Sequence, residues 1–202
     1  MAILSHLFYR SVYYTTKIIL LIFVPRRIMG RDNIPATGGF ILACNHLSNL
    51  DPPFIGTVIH RPLSFVAKES LFRNKILSFI LRHVGTIPIK RNQADFRALR
   101  EVLRVLKNGR PAVIFPEGSR EAVRRSANRG EKAFSGIGFL AAKSGVPVIP
   151  AKIQNTDKVL PVHGKWLRRH CVTFTIGRPI VIDSDQLYPQ ITYQIMDAIA
   201  SL

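Results

Sequence analysis

Cysteine is nearly missing from this chain of 202 residues: only Cys44 and Cys171 occur. Two isolated thiols supply neither a disulfide framework nor the spacing of a zinc site, so a reducing compartment is the default. Cys44 sits in an apolar run and reads as a small buried residue. Long hydrophobic runs are missing as well. The segment MAILSHLFYRSVYYTTKIILLIFVP is apolar but broken by Arg10 and Lys17, and its clean stretch, Ile18 to Pro25, is far short of the ~20 residues a spanning helix needs. No small-residue cleavage site follows it, which argues against a removable signal peptide. There is no nucleophile elbow, no phosphate-cradling loop ending in Gly-Lys-Ser/Thr and no zinc-protease His pair. No metal site is expected, because ligand spacing is absent. Gly136-Ile137-Gly138-Phe139-Leu140-Ala141 imitates a dinucleotide fingerprint, but no strand precedes it and helix packing explains it.

The scarcest charge is negative: 12 Asp and Glu stand against 29 Lys and Arg, a formal net charge of +17. A field of that sign draws polyanions, whether nucleic acid, anionic lipid headgroups or phosphorylated substrates, and charge alone does not choose among them. A basic nucleic-acid-binding module would use runs such as Arg120, Arg124, Arg125 and Arg129, or Trp166, Arg168, Arg169 and His170. Aromatics are not interleaved with these charges as stacking platforms, and no nucleic-acid motif occurs, so no nucleic-acid partner is expected. The hydrophobic content of 47% is that of a globular protein.

Residues 1–25 read as an N-terminal amphipathic helix associated with a membrane. His6, Arg10, Tyr13 and Lys17 share one stripe, and Leu7, Phe8, Ile18, Leu21 and Ile22 broaden an apolar face. Such a helix lies in the headgroup zone with its cations reaching phosphates, which predicts a monotopic protein on an anionic membrane surface, at the cytoplasmic face. The competing reading is a helix packed on the protein's own core.

Beyond it, residues 26–202 form one α/β domain. A short basic segment, Arg26 to Asn33, leads in. Phe40 to Cys44, Leu63 to Ala67, Thr86 to Ile89, Ala112 to Phe115, Val146 to Ile153 and Val172 to Ile176 read as strands, with Ile180 to Ile182 as one more. Phe72 to His83, Ala94 to Lys107, Lys132 to Lys143 and Gln186 to Leu202 have helical length and spacing, with Asn108-Gly109 and Gly145 as stops. The alternation predicts a largely parallel or mixed central sheet flanked by helices, with chemistry at the carboxyl ends of its strands.

Two strand ends carry reactive groups. The first is followed by Asn45-His46-Leu47-Ser48-Asn49-Leu50-Asp51-Pro52-Pro53. A hydroxyl needs a neighbouring imidazole to take its proton, and a carboxylate on the other ring nitrogen fixes the tautomer. Alternatively, Asp51 is a helix N-cap before Pro52, and His46 a loop histidine. The second strand end runs into Pro116-Glu117-Gly118-Ser119-Arg120, where Gly118 permits close backbone approach and Arg120 offers a fork matched to phosphate oxygens. Arg91, closing a third strand, is placed to reach the same anion.

Asn45-His46 through Asp51, Gly85 through Arg91, Phe115 through Arg120 and Val146 through Pro150 occur in this order. The chain thereby resembles the glycerolipid acyltransferase family, notably the 1-acylglycerol-3-phosphate O-acyltransferases. The resemblance implies the glycerol-3-phosphate acyltransferase-like fold and transfer of a fatty acyl group, from acyl-CoA or acyl carrier protein, to the sn-2 hydroxyl of lysophosphatidate. Phosphatidic acid is the product, and no cofactor is needed. Glycerol 3-phosphate or another lysolipid is the alternative acceptor. The resemblance assigns His46 as general base, Asp51 as its orienting partner and Lys68 to the oxyanion. It assigns Arg91, Glu117, Gly118, Ser119 and Arg120 to the glycerol phosphate. Lys90 stands where the family often has an acid, and Ser135 where it commonly has a lysine. The N-terminal region looks shorter than in members with a two-helix membrane motif.

Overall fold

The computed structural model describes residues 2–90, 95–117, 136–161, 164 and 166–202. Its strands are β1 (Arg26–Met29), β2 (Ile41–Cys44), β3 (Ser64–Lys68), β4 (Ile87–Ile89), β5 (Ala112–Ile114), β6 (Val148–Gln154) and β7 (Val172–Ile176). They form one seven-stranded sheet in the order β1-β7-β6-β2-β5-β3-β4. Strands β6, β2, β5, β3 and β4 are mutually parallel, whereas β7 runs antiparallel to β6 and carries β1 parallel beside it. The sheet is therefore mixed, with its parallel part around β2.

Every residue of β2 is buried, as a strand covered on both faces requires. Its alternation still sorts side chains: Leu42 and Cys44 enter one core with Phe54, Ile149 and Phe174, while Ile41 and Ala43 enter the other with Val102, Leu140 and Ile195. Helices α1 (Ala2–Phe23) and α2 (Asp51–Val58) cover the first face. Helices α4 (Phe96–Lys107), α5 (Gly136–Ser144) and α7 (Tyr188–Ala200) cover the second. Helix α3 (Lys75–His83) follows β3, and the single turn α6 (Thr156–Val159) follows β6. Asp95 caps α4 by accepting from the Ala98 N–H at 3.1 Å, and Gly109, at φ 75°, ends it.

The structure corrects the sequence reading at two places: Arg26–Met29 is an edge strand rather than a lead-in, and Ile180 makes only an isolated bridge to Val148. The helix start offered as an alternative at Asp51-Pro52 is present, as the helix Asp51–Val58. Among the described residues no helix is long and apolar enough to cross a membrane. Helix α1 seats Leu20 in the core, with Val24 just beyond its end, and leaves Ile18, Ile19, Leu21, Ile22 and Phe23 exposed. Tyr13 turns towards the body, its hydroxyl 3.2 Å from His60 Nδ1.

Candidate active site

Strands β2 and β5 are adjacent and parallel, so the loops at their carboxyl ends emerge side by side. The first loop is pinned at its start. Asn45 donates from Nδ2 to the Ile153 carbonyl at 2.9 Å and accepts from the Ile153 N–H at Oδ1, 2.7 Å. This two-way amide pairing extends the β2–β6 ladder by one side chain and sets where the backbone leaves the sheet.

Next comes His46, 8% exposed, with Nδ1 2.7 Å from Asp51 Oδ2. That same oxygen accepts the N–H groups of Leu47 at 2.7 Å and Ser48 at 2.8 Å. Asp51 itself is fully buried in the first position of α2, and Leu50 occupies the N-cap without a side-chain cap bond. Its carboxylate therefore organises the preceding loop instead of capping the helix. Ser48 completes the turn, donating its hydroxyl to the Leu160 carbonyl at 2.7 Å and accepting from the Leu50 N–H at 3.2 Å. Oδ2 accepts two backbone N–H groups, and as a carboxylate it can meet Nδ1 at 2.7 Å only as acceptor, the arrangement in which Nδ1 carries the proton and Nε2 is the basic nitrogen.

From the β5 side, the Phe115 ring stacks on His46 with centroids 4.3 Å apart at an interplanar angle of 23°. Glu117 Oε2 accepts the His46 backbone N–H at 3.1 Å. Burial holds the Glu117 carboxyl above its ordinary value; the His46 N–H opposes this and the nearby Asp51 adds to it. Burial likewise pushes the Cys44 thiol well up, with Asp51 and Glu117 contributing, so this thiol is inert.

His46 and Phe115 form part of the wall of a cavity of about 550 Å³ between α1, α2, β3 and α3. Its other walls include Gly56, Phe65, Leu77 and Ile80, and no Lys, Arg, Asp or Glu among the described residues lines it. A base facing an uncharged, mostly apolar space suits a substrate with an alkyl chain.

Of the site residues expected from sequence, the structure brings His46, Asp51 and Glu117 together. Lys68 lies exposed at the end of β3, paired in register with Ile89, and is not a cavity-lining residue although Ala67 beside it is. Arg91, Gly118, Ser119 and Arg120 lie outside the described residues. The flanks of Arg91 are tied together, since the Lys90 N–H donates to Asp95 Oδ2 at 3.0 Å. With the Ala98 N–H, that bond holds the Asp95 carboxyl below its ordinary value. Sequence reasoning missed Asn45, Ser48 and Phe115. Asn and Ser in a strand-to-helix loop were the available signal, because both readily bond backbone groups. Among the described residues no group of three His, Cys, Asp or Glu is placed to hold a metal ion.

A mixed α/β sheet with a His–Asp pair at the end of its central strand, opening on an apolar cavity, is the arrangement that general-base chemistry on a substrate with an alkyl chain would use. The chain belongs to the Acyltransferase family, which it matches over residues 25–154, and is an acyltransferase. It is similar to the 1-acyl-sn-glycerol-3-phosphate acyltransferase of Bacillus subtilis, with 26% identity covering 85% of this chain and 82% of that one. The enzyme of that name from Chlamydomonas reinhardtii is 32% identical over 79% of this chain and 48% of its own length. The chain thus spans most of the bacterial relative and about half of the algal one. The crystal structure of the 1-acyl-sn-glycerophosphate acyltransferase from Thermotoga maritima superposes with a TM-score of 0.69 at 25% identity, covering 96% of this chain and 79% of that one.

Proposed function

We propose that the protein transfers a fatty acyl group from a thioester, acyl-CoA or acyl carrier protein, to the sn-2 hydroxyl of 1-acyl-sn-glycerol 3-phosphate. The product is phosphatidic acid, and the place is phospholipid biosynthesis at the cytoplasmic face of a membrane, with α1 as the anchor. The observation that carries this reading is the 2.7 Å contact of His46 Nδ1 with Asp51 Oδ2, made on the wall of an uncharged cavity. Support for the acceptor comes from the relatives, which are named for it.

In this reaction the acceptor's phosphate docks on Arg91 and Arg120, with Gly118 and Ser119 admitting it closely, and its free hydroxyl points at His46 Nε2. The hydroxyl oxygen attacks the thioester carbonyl while Nε2 takes its proton, and Asp51 stabilises the imidazolium. Lys68 steadies the oxyanion. As the intermediate collapses, the C–S bond breaks and the carrier sulfur recovers the proton from His46, so the ester oxygen replaces sulfur and the base is regenerated. The thioester is the activated group, so neither a metal nor a cofactor enters the balance. Glu117 acts one step removed, holding the backbone of His46.

The test is acyl transfer in detergent micelles, offering lysophosphatidate, glycerol 3-phosphate and neutral lysolipids with each donor. Turnover on lysophosphatidate should fall by roughly 10²–10⁴-fold in His46→Ala, the usual value of general-base help. Near-wild-type turnover in a folded His46→Ala protein would overturn the mechanism, and transfer to glycerol 3-phosphate alone would change the acceptor.

A further inference from the structure

Helix α3 is unusual for this chain: none of its nine residues is buried, although it carries Ile76, Leu77, Phe79, Ile80 and Leu81. These side chains divide into two sets. Leu77, Ile80 and Leu81 form cavity wall. Ile76 and Phe79 take no part in the cavity and are 76% and 52% exposed. Leu71, in the turn before the helix, is also exposed while reaching the cavity wall. The remaining residues of the helix are Lys75, Ser78, Arg82 and His83, and the His83 ring lies against that of Phe79 with centroids 4.0 Å apart. Arg82 Nε donates to Ser78 Oγ at 3.2 Å, and its guanidinium lies over the Phe72 ring at 5.6 Å. Arg73 precedes the helix, and Glu69 is the only acid between residues 69 and 83.

We infer that α3, with Leu71, docks on the surface of an anionic phospholipid bilayer as an interfacial element in its own right. Ile76 and Phe79 enter the interface, and Arg73, Lys75 and Arg82 reach the headgroup phosphates. Single exposed apolar residues are ordinary, but here they occur along one helix bordered by cations, the pattern of an in-plane membrane helix. Charge decides the occupant. A chain of net charge +17 repels a second copy of itself and is drawn to anionic lipid. Position agrees with charge, because α1 and α3 touch one another and both supply walls of the same cavity. A leaflet seated on α3 and on the exposed Ile18, Leu21 and Ile22 of α1 lies at the rim of that cavity. An acyl chain then passes from bilayer to site without crossing water. This step rests on the proposed lipid substrate, whereas the docking is measurable without it.

The test uses the full chain in a Cys171→Ser background, where the remaining thiol, Cys44, is buried. An environment-sensitive fluorophore is attached at Ile76→Cys and, as a control on the opposite face of the sheet, at Arg100→Cys. With vesicles of phosphatidylcholine and phosphatidylglycerol, the probe at 76 should shift to the blue and be quenched by lipids spin-labelled in the acyl chain. The probe at 100 should not, and pure phosphatidylcholine should give a weaker response at 76. The pair Ile76→Ser and Phe79→Ser should weaken vesicle partitioning by about tenfold or more, given the apolar area withdrawn, and leave micellar turnover unchanged. A probe at 76 that stays unquenched while the protein co-sediments with vesicles would sink the inference. So would serine variants that dissociate a dimer in sedimentation velocity yet partition normally. Failure of lysophosphatidate acylation by the parent protein in micelles removes the functional reading instead, and the probe at 76 still decides the docking.

Discussion

The loop from Asn45 to Asp51 and the rim formed by α1 and α3 line one cavity, and they are built on opposite principles. The loop is short, largely buried and laced by polar bonds of 2.7 to 3.2 Å, with Asn45, Ser48 and Asp51 each serving two or more partners. The rim consists of exposed or half-buried apolar side chains. Three contacts converge on the buried Asp51 Oδ2, and although Oδ1 has no partner among the described residues, losing any of them would leave a buried group unmatched, so the loop holds one geometry. Apolar contacts are non-directional, so the rim suits the chains of differing shape and the moving lipid surface proposed for it. On the proposed mechanism, preorganisation is thus confined to the atoms that would handle the proton, and tolerance to the atoms that would hold the lipid.

The sharpest break in that contrast comes from Asp51→Asn. An amide keeps the shape but presents either N–H groups where donors already point or the wrong tautomer to His46. Turnover should fall by about 10²–10⁴-fold, with the KM for lysophosphatidate nearly constant. Steady-state kinetics checks it; a change confined to KM would mean that loop and cavity are not separate devices. A smaller effect is expected on the other side of the contrast, at Gly56. A Cβ built there meets only Phe65 Cζ, at 4.0 Å, and the open space beyond is the cavity. Gly56→Leu should occupy that space and lower the preference for long over short acyl donors by about tenfold, the worth of a methylene or two in an apolar pocket. Replacing a mid-helix glycine should also stabilise the fold by about 0.5–1 kcal/mol. Competition between donors of graded length, with thermal melts alongside, tests both; unchanged chain preference would show that the acyl group lies elsewhere.

How much of this was legible in the sequence divides along the same line. Apolar runs located β2, β5 and β6 because central parallel strands are buried on both faces and need no alternation. Strand β1 escaped because RRIM is an edge strand, paired on one side, whose half-buried Arg26 and Ile28 alternate with exposed Arg27 and Met29. Helix α2 was legible only through its start at Asp51-Pro52, because eight residues holding two prolines and a glycine carry little periodicity. At the site, the spacing of His46 and Asp51 was readable because it is local. The partners that fix the loop are not: Ile153 lies 108 positions from Asn45, Leu160 lies 112 from Ser48, and Glu117 lies 71 from His46. Nothing in local spacing reports such pairings. They arise only when β2 is set between β5 and β6.

Glu117 gives the smallest expected effect and the finest test, because sequence reading placed it on the substrate while its carboxylate bonds the backbone of His46. Burial is the main reason its folded value stands above the ordinary 4.5. A carboxyl with a raised folded value binds its proton more tightly in the native state than in the unfolded chain. Its contribution to stability is therefore fully present below pH 4.5 and is lost as pH rises through the raised folded value. Unfolding followed across that window should show stability falling with pH, and Glu117→Gln should flatten the fall. The catalytic readout separates positioning from substrate binding. Gln keeps an oxygen for the His46 N–H, so its turnover should drop only a few-fold, whereas Glu117→Ala leaves a part-buried donor unmatched at a cost of about 1–3 kcal/mol. If Gln instead raises the KM for lysophosphatidate and leaves turnover alone, Glu117 belongs to the lipid-holding half of the contrast, and preorganisation ends at Asp51.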